Sequence, residues 1–474
     1  MDFSSIRVEL CAALFSLGLL VFGLLVPKGR KDHTGVVATL GFLALLVVSF
    51  VAPGSGTSFS GGKYLNDQLA LFFKHVFLAA AFLTSLMSLR FTSSLSESRA
   101  EFFSLLSFSV VGMMMLGSSN DFLALYIGLE LMTLPLVLLT AWDKANGAST
   151  EAGAKYVLLS AVSSAVLLFG LSLLFGAAGS LTYSEVVRAL AASSPDPLVV
   201  TGGIMVLAGF AFKIAAVPFH MWSPDIYEGA PAPVAAFLAV GSKAAGFAAL
   251  VRLLLFVLPS ASASYPLVVI SLSVLSMVVG NLIALPQTNL KRLLAWSSIS
   301  HAGYMLLGLV AASRAGLGAL LYYTILYLFA NVGIFAAISS FGPAGGTGEI
   351  AAFRGMWKRS PFMAASLLVC LLSLAGIPPA AGFLGKFYLL AETARQGRLW
   401  LAVVALVMSV VSISYYISVV KALVMEKAED ESPIRIPFPQ AAIMAVSVLI
   451  TVGMGVFPAP ITAWTQSVAA SVIK

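Results

Sequence analysis

Gly209-Phe-Ala-Phe-Lys213-Ile-Ala-Ala-Val-Pro218 closes an apolar run that starts near Leu198. A run of this length can cross roughly 30 Å of hydrocarbon, yet it carries a lysine and then a proline. Pro218 has no N–H to donate, so in a helix the carbonyl of Ile214 loses its partner. A basic residue at a bilayer centre costs roughly 2.5–3.5 kcal/mol. Irregular backbone at that depth survives where it is buried in protein or lines a wet cavity. The stretch therefore predicts a broken transmembrane helix with a lysine beside the break. Gly376-Ile-Pro-Pro-Ala-Ala-Gly-Phe-Leu-Gly-Lys386 repeats the pattern, and there Pro378 frees the carbonyl of Leu374.

Outward from these two breaks, the chain is 59% hydrophobic and 10% charged over 474 residues, with a mean hydropathy of +0.99. Repeated, continuously apolar runs predict an all-α polytopic membrane protein and exclude a β-barrel, whose strands alternate. About fourteen spans are expected, near 8–27, 34–52, 68–89, 101–119, 121–142, 151–178, 198–218, 231–258, 265–285, 290–312, 316–341, 361–392, 398–422 and 439–464. The first is too long for a signal-peptide core and has no small-residue cleavage site, so it reads as a retained span. Residues 182–194 place Val186, Val187 and Leu190 opposite Glu185 and Arg188, as in a short interfacial helix. Glu426 to Arg435 reads as a solvated charged loop.

Cys11 and Cys370 fall far apart in apolar runs and form no metal or redox spacing. The net charge of +7 reflects dispersed loop lysines and arginines, which set topology rather than bind nucleic acid. Odd-numbered loops hold about twice the Lys and Arg of the even loops and ends; Lys28, Arg30, Lys31, Lys144, Lys291 and Arg292 stand against Arg7, Lys63, Arg188, Arg314 and Lys474. Both termini are therefore expected on the outer, periplasmic side. The breaks in spans seven and twelve suggest inverted repeats around an ion path. The expected organisation is 1–100 for helices one to three, 101–260 for a first repeat of helices four to eight, 261–425 for a second of helices nine to thirteen, and 426–474 for the charged loop and last helix.

Five lysines stand inside apolar runs: Lys74, Lys155, Lys213, Lys243 and Lys386. Lys213, Lys243 and Lys386 are too central to reach a surface. Lys155, a few residues into its span, can snorkel, and Lys74, next to His75, reads as peripheral or structural. Glu130 lies midway along span five. It is either a neutral acid bonded to a carbonyl freed by Pro135, or an ionisable partner for a lysine. Burial disfavours both charges and mutual attraction restores them, so a Glu–Lys pair can hold or release a proton. His220, at a helix end, and His301, in span ten, are secondary candidates, and His301 could link the two halves. Glycine-rich phosphate loops, cysteine clusters for iron–sulfur ligation and haem-type histidine pairs are absent from the sequence.

Pro218-Phe-His-Met-Trp-Ser-Pro-Asp-Ile-Tyr-Glu-Gly-Ala-Pro231, preceded by Gly209-Phe-Ala-Phe-Lys213, resembles the signature of the antiporter-like membrane subunits of respiratory complex I, the NADH-quinone oxidoreductase. The Asp225-Ile-Tyr-Glu-Gly-Ala-Pro form with Lys243 on the next helix is similar to the subunit N branch. Glu151-Ala-Gly-Ala-Lys155-Tyr, Asn289-Leu-Lys-Arg-Leu-Leu-Ala-Trp-Ser-Ser-Ile-Ser-His301-Ala-Gly-Tyr304 and the Gly376 to Phe387 stretch extend the likeness along nearly the whole chain.

The resemblance implies a fourteen-helix proton-translocating module with two inverted five-helix repeats and two discontinuous helices. It implies a relay of Glu130, Lys155, Lys213, Lys243 and Lys386. No cofactor or metal is expected on this chain; FMN, iron–sulfur clusters and quinone are expected in partner subunits. The implied partners are the antiporter-like M and the small K and J subunits, in a bacterial inner membrane. A gradient-driven Mrp-type sodium/proton antiporter subunit is the alternative.

Overall fold

Half of the chain's long helices face outward and a few are enclosed on every side, which sets where a polar path can run. The computed structural model describes residues 3–26, 32–51, 57–93, 99–192, 196–258, 265–341, 348–428 and 432–473. Lys28, Arg30, Lys31 and Lys474, which count toward orientation, lie outside the described residues, as do residues 429–431 of the charged loop.

Helices α1 (Arg7–Leu25) and α2 (Asp32–Val51) lead into a hairpin of β1 (Thr57–Phe59) and β2 (Tyr64–Asn66), paired antiparallel with Phe59 opposite Tyr64. Then come α3 (Gln68–Ser93), α4 (Arg99–Ser118), α5 (Phe122–Thr140), α6 (Gly147–Ala178) and the amphipathic α7 (Tyr183–Ala192). The seventh span is α8 (Pro197–Lys213) and, past a break, α9 (Trp222–Gly229). It is followed by α10 (Ala232–Val257), α11 (Tyr265–Ala284), α12 (Leu290–Ala311) and α13 (Arg314–Ser339). The twelfth span is likewise divided into α14 (Pro361–Ala375) and α15 (Ala381–Arg395). Then come α16 (Leu399–Val424), α17 (Phe438–Val456) and α18 (Ala459–Val472).

Twelve of these helices, among the described residues, are long and apolar enough to cross a membrane. With the two broken spans, whose first halves α8 and α14 are shorter apolar helices, they match the expected set. The most apolar stretches of α10 and α12 are 100% buried, against 28% in α1 and α16. The centre of the molecule is therefore α10, α12 and their neighbour α13. Two single π-type turns interrupt α10, at Leu238–Ser242 just before Lys243 and at Leu253–Val257; such turns often accompany functional positions.

Two expectations are corrected. The last span does not run through residue 464: α17 ends at Val456, and Pro458 and Pro460 start a separate helix because neither can supply the N–H that continuation needs. The hairpin was not expected. It carries Tyr64 and Asn66 to a buried ion pair, in which Lys74 Nζ lies 2.6 Å from Glu9 Oε1 and also donates to Asn66 Oδ1 at 2.9 Å. The Tyr64 hydroxyl donates to the same Glu9 oxygen. Lys74 is thus structural, tying α1 to α3. Nearby, Arg252 of α10 donates to both oxygens of Asp67, at 3.0 and 2.8 Å, and to the Gly117 carbonyl at 2.9 Å.

Candidate functional site

The first break is built around Lys213, the last residue of α8. A helix C-terminus carries partial negative charge and favours a cation there. The side chain is 1% exposed, and Nζ donates to Thr133 Oγ1 of α5 at 2.6 Å. The ring centroids of Tyr156 and Phe212 both lie 5.9 Å from Nζ, close enough for cation–π attraction. Glu130 sits one turn before Thr133 on α5, and its buried Oε1 has no hydrogen-bond partner among the described residues.

The carbonyl that Pro218 was expected to free belongs to Ile214, but the helix has already ended by then. Ala215 turns the chain with φ of 57°, a left-handed conformation uncommon for a residue with a Cβ. The Phe212 carbonyl accepts from Ala215 N at 3.0 Å and from Trp222 Nε1 at 2.7 Å. Val217 N donates to Ser276 Oγ at 2.9 Å. The Phe212 carbonyl and the Val217 N–H thus find protein partners at the break, as a membrane interior requires.

Lys243 follows the π turn of α10 and is 3% exposed. Its Nζ donates to the Ser298 carbonyl at 2.9 Å and to Ser298 Oγ at 2.7 Å, both on α12. Gly246, one turn further along α10, packs against Ile214 and Lys213, so the two lysines belong to adjoining surfaces of α8 and α10.

Next to Ser298, Ser297 shares a hydrogen bond with the Tyr416 hydroxyl of α16. That hydroxyl also lies 3.0 Å from His301 Nε2, while His301 Nδ1 lies 2.6 Å from Tyr323 OH. His301 is 1% exposed and bridges α13 and α16 from the central α12. Tyr416 stands one helical turn from Ser412, which accepts from Lys386 Nζ at 3.4 Å.

Lys386, 4% exposed, lies on the second half-helix, α15, and reaches back across the break. It donates to the carbonyl of Ala375, the last residue of α14, at 3.0 Å, and to Ser409 Oγ at 3.1 Å. The helix α14 stops at Gly376 in the left-handed region, which leaves the Ala375 carbonyl open to Lys386. Gly382 meets the Ser373 carbonyl and Gly455 of α17 meets the Pro379 carbonyl, each where an added Cβ would collide. Lys213 and Lys386 thus both stand at the C-terminal end of a first half-helix.

Lys155 stands apart from these groups. Its side chain is 42% exposed and pairs with Glu151 at 2.7 Å and Asp225 at 2.8 Å. Asp225 also meets Arg292 at 2.9 Å, and Arg292 meets Glu228 at 2.7 Å. His220 lies edge-on to Trp296 with centroids 5.3 Å apart. Thr133, Ser298, Tyr323 and Tyr416 were missed in the sequence because neutral hydroxyls inside apolar runs carry almost no hydropathy signal. The run Ser297-Ser-Ile-Ser-His301 was the available clue. Lys291, 7% exposed, was taken for a loop cation. Among the described residues no three His, Cys, Asp or Glu side chains come together to hold a metal.

A polytopic bundle with two half-helix pairs, each placing a lysine at a helix C-terminus, defines an antiporter-like membrane protein. Residues 119–412 match the family described as NADH:quinone oxidoreductase/Mrp antiporter, TM. A curated relative from Moorella thermoacetica, NADH-quinone oxidoreductase subunit N, is 45% identical over 98% of this chain and 97% of its own length. A chain of respiratory complex I from Thermus thermophilus superposes with a TM-score of 0.83, covers 96% of this chain and 99% of its own, and is 34% identical. A chain of the Mrp complex from Dietzia gives a TM-score of 0.87 at 20% identity over 100% of this chain and 98% of its own, and so shares the fold. The chain belongs to the NADH:quinone oxidoreductase/Mrp antiporter membrane family.

Proposed function

We propose that this chain is the proton-translocating membrane subunit of an NADH-quinone oxidoreductase. NADH oxidation and quinone reduction occur on partner subunits holding FMN and iron–sulfur clusters, and this chain moves protons. The observation that carries the reading is the set of buried lysines, Lys213, Lys243 and Lys386, each bonded to polar groups inside the protein, with Glu130 one helical turn from the threonine that holds Lys213. Lys213 holds its proton while Glu130 is ionised and close. When the pair separates, desolvation favours release toward Lys243. His301, between two tyrosine hydroxyls, connects Lys243 to Lys386. Lys155 and His220 act at the margins of this relay, Lys155 at the surface.

Helices four to eight and nine to thirteen serve as two inverted units, residues 101–260 and 261–425, flanked by 1–100 and 426–474. The M, K and J subunits are the neighbours in the bacterial inner membrane, with both termini periplasmic. An Mrp-type antiporter subunit shares the fold, and the 45% identity to a subunit N favours the first reading. Purification through a tag on this chain tests it. Co-isolated subunits with NADH oxidation and iron–sulfur resonances support it, whereas a set of cation-antiporter subunits without them overturns it.

A further inference from the structure

Lys291 is buried at the start of α12, and nothing in the relay uses it. Of its three donors, one is taken by the Ala230 carbonyl at 3.0 Å. It lines a cavity of about 140 Å³ together with Asp143, Asn146, Glu228 and Asn289. That volume accommodates a few waters at about 30 Å³ each, and polar walls keep such a space wet. A second cavity, of about 220 Å³, is lined by Glu151, Lys155, Asp225, Glu228 and Arg292. The two share Glu228 and Gly229 as a common wall. Side-chain exposure falls from 42% at Lys155 and 39% at Glu228 to 7% for the residue Lys291.

Along α12, Lys291 and Ser298 are seven residues apart. Seven residues are two turns, so both side chains share one face about 10 Å apart. Ser298 is the residue that holds Lys243. An open, charged cavity therefore meets, at Glu228, the pocket of a buried amine, and that amine shares a helix face with the residue that holds the central lysine, with the buried Leu294 and Ala295 between them.

We infer that Glu228 and Lys291 form the port through which protons are taken up into the relay on the face that carries Lys155. The Lys155, Asp225 and Arg292 cluster concentrates and orients charge at its mouth. The Glu228 carboxylate accepts a proton from hydronium in the open cavity, which leaves a water. As a neutral acid it hands that proton to the uncharged amine of Lys291, leaving a carboxylate and an ammonium. Lys291 then passes the proton to water drawn in along the α12 face toward Ser298 and Lys243, and the amine is restored. The inference rests on the proton-translocating reading, and its test separates the two.

The test uses the whole complex carrying Lys291→Arg or Glu228→Gln, reconstituted in vesicles, with Lys243→Ala beside them. Arginine keeps a donor for Ala230 but is permanently charged and cannot give up a proton. Lys291→Arg should assemble and oxidise NADH with an upstream artificial acceptor at the wild-type rate. Its protons pumped per electron should fall to the level of Lys243→Ala, and Glu228→Gln should show the same loss. If Lys243→Ala loses pumping while both port variants pump at the wild-type ratio, the port is wrong and the relay stands. If Lys243→Ala also pumps normally, the relay reading itself fails. If neither port variant assembles, Lys291 and Glu228 are structural braces and the port is equally excluded.

Discussion

Lys213 is hydrogen-bonded to Thr133, at 2.6 Å, and not to Glu130, which stands one turn away on the same helix with a buried oxygen left without a partner. This is the separated arrangement of the pair, with the threonine as the resting place of the ammonium. Thr133→Val removes that acceptor, and Glu130, one turn away on the same helix, should take its place. The variant should hold Lys213 on Glu130 and slow NADH-driven pumping, while Thr133→Ser, which keeps the hydroxyl, should pump as the wild type does. Equal pumping in the two would show that the hydroxyl has no part in switching.

The second break depends on the glycine of α17 that packs on it. Replacing Gly455 with Leu drives a side chain into the Pro379 carbonyl, and overpacking of this kind costs about 1–3 kcal/mol. The complex should melt at lower temperature and lose pumping, whereas the neighbouring Gly453→Leu, with open space beside it, should do neither. Similar melting of the two variants would contradict the assignment.

Lys74 offers the contrast to the relay lysines. Its ion pair with Glu9 joins two helices, with side chains 1% and 7% exposed. Lys74→Ala leaves a buried carboxylate uncompensated, a loss of about 3–5 kcal/mol, whereas a Lys74→Met, Glu9→Gln double change is nearly neutral. Thermal unfolding of the complex should separate the two, and the double variant should pump at the wild-type ratio. A pumping defect in a stably assembled double variant would place Lys74 in the proton path after all.

Acid should weaken the junction between the hairpin and α10. Burial alone pushes the Asp67 carboxyl up, but the doubly bonded Arg252 guanidinium more than offsets this and holds it below the ordinary carboxylate value. A lowered folded pKa gives stability that is complete above the unfolded value and is lost as pH falls through the folded one. Stability should therefore decline below about pH 4, and Asp67→Asn should be less stable at neutral pH with a shallower acid slope. Parallel acid profiles for the two proteins would mean that this pair contributes nothing.

Much of this architecture was legible in the residues. The two breaks followed from Pro218, Pro378 and Pro379 because proline removes a donor that lipid cannot replace. The buried lysines stood out because a charge in an apolar run is costly. What escaped notice has equally physical causes. The first helix ends at Lys213, five residues before the proline, since a helix stops where the turn begins and not where the proline sits. Lys291, taken for a loop cation, is buried, because position near a span's end does not say whether a side chain faces protein or water. Thr133, Ser298 and Tyr416 carry no charge, so hydropathy could not mark them.

The central claim is that Glu130 and Lys213 move protons, and the most direct measurement is the number of protons pumped per electron by vesicle-reconstituted complexes carrying Lys213→Ala or Glu130→Ala. Both should assemble and keep electron transfer to an upstream artificial acceptor, because the proposed redox centres lie on other subunits. Both should pump fewer protons per electron than the wild type. Assembled complexes that pump at the wild-type ratio would contradict the account and leave these residues a structural role.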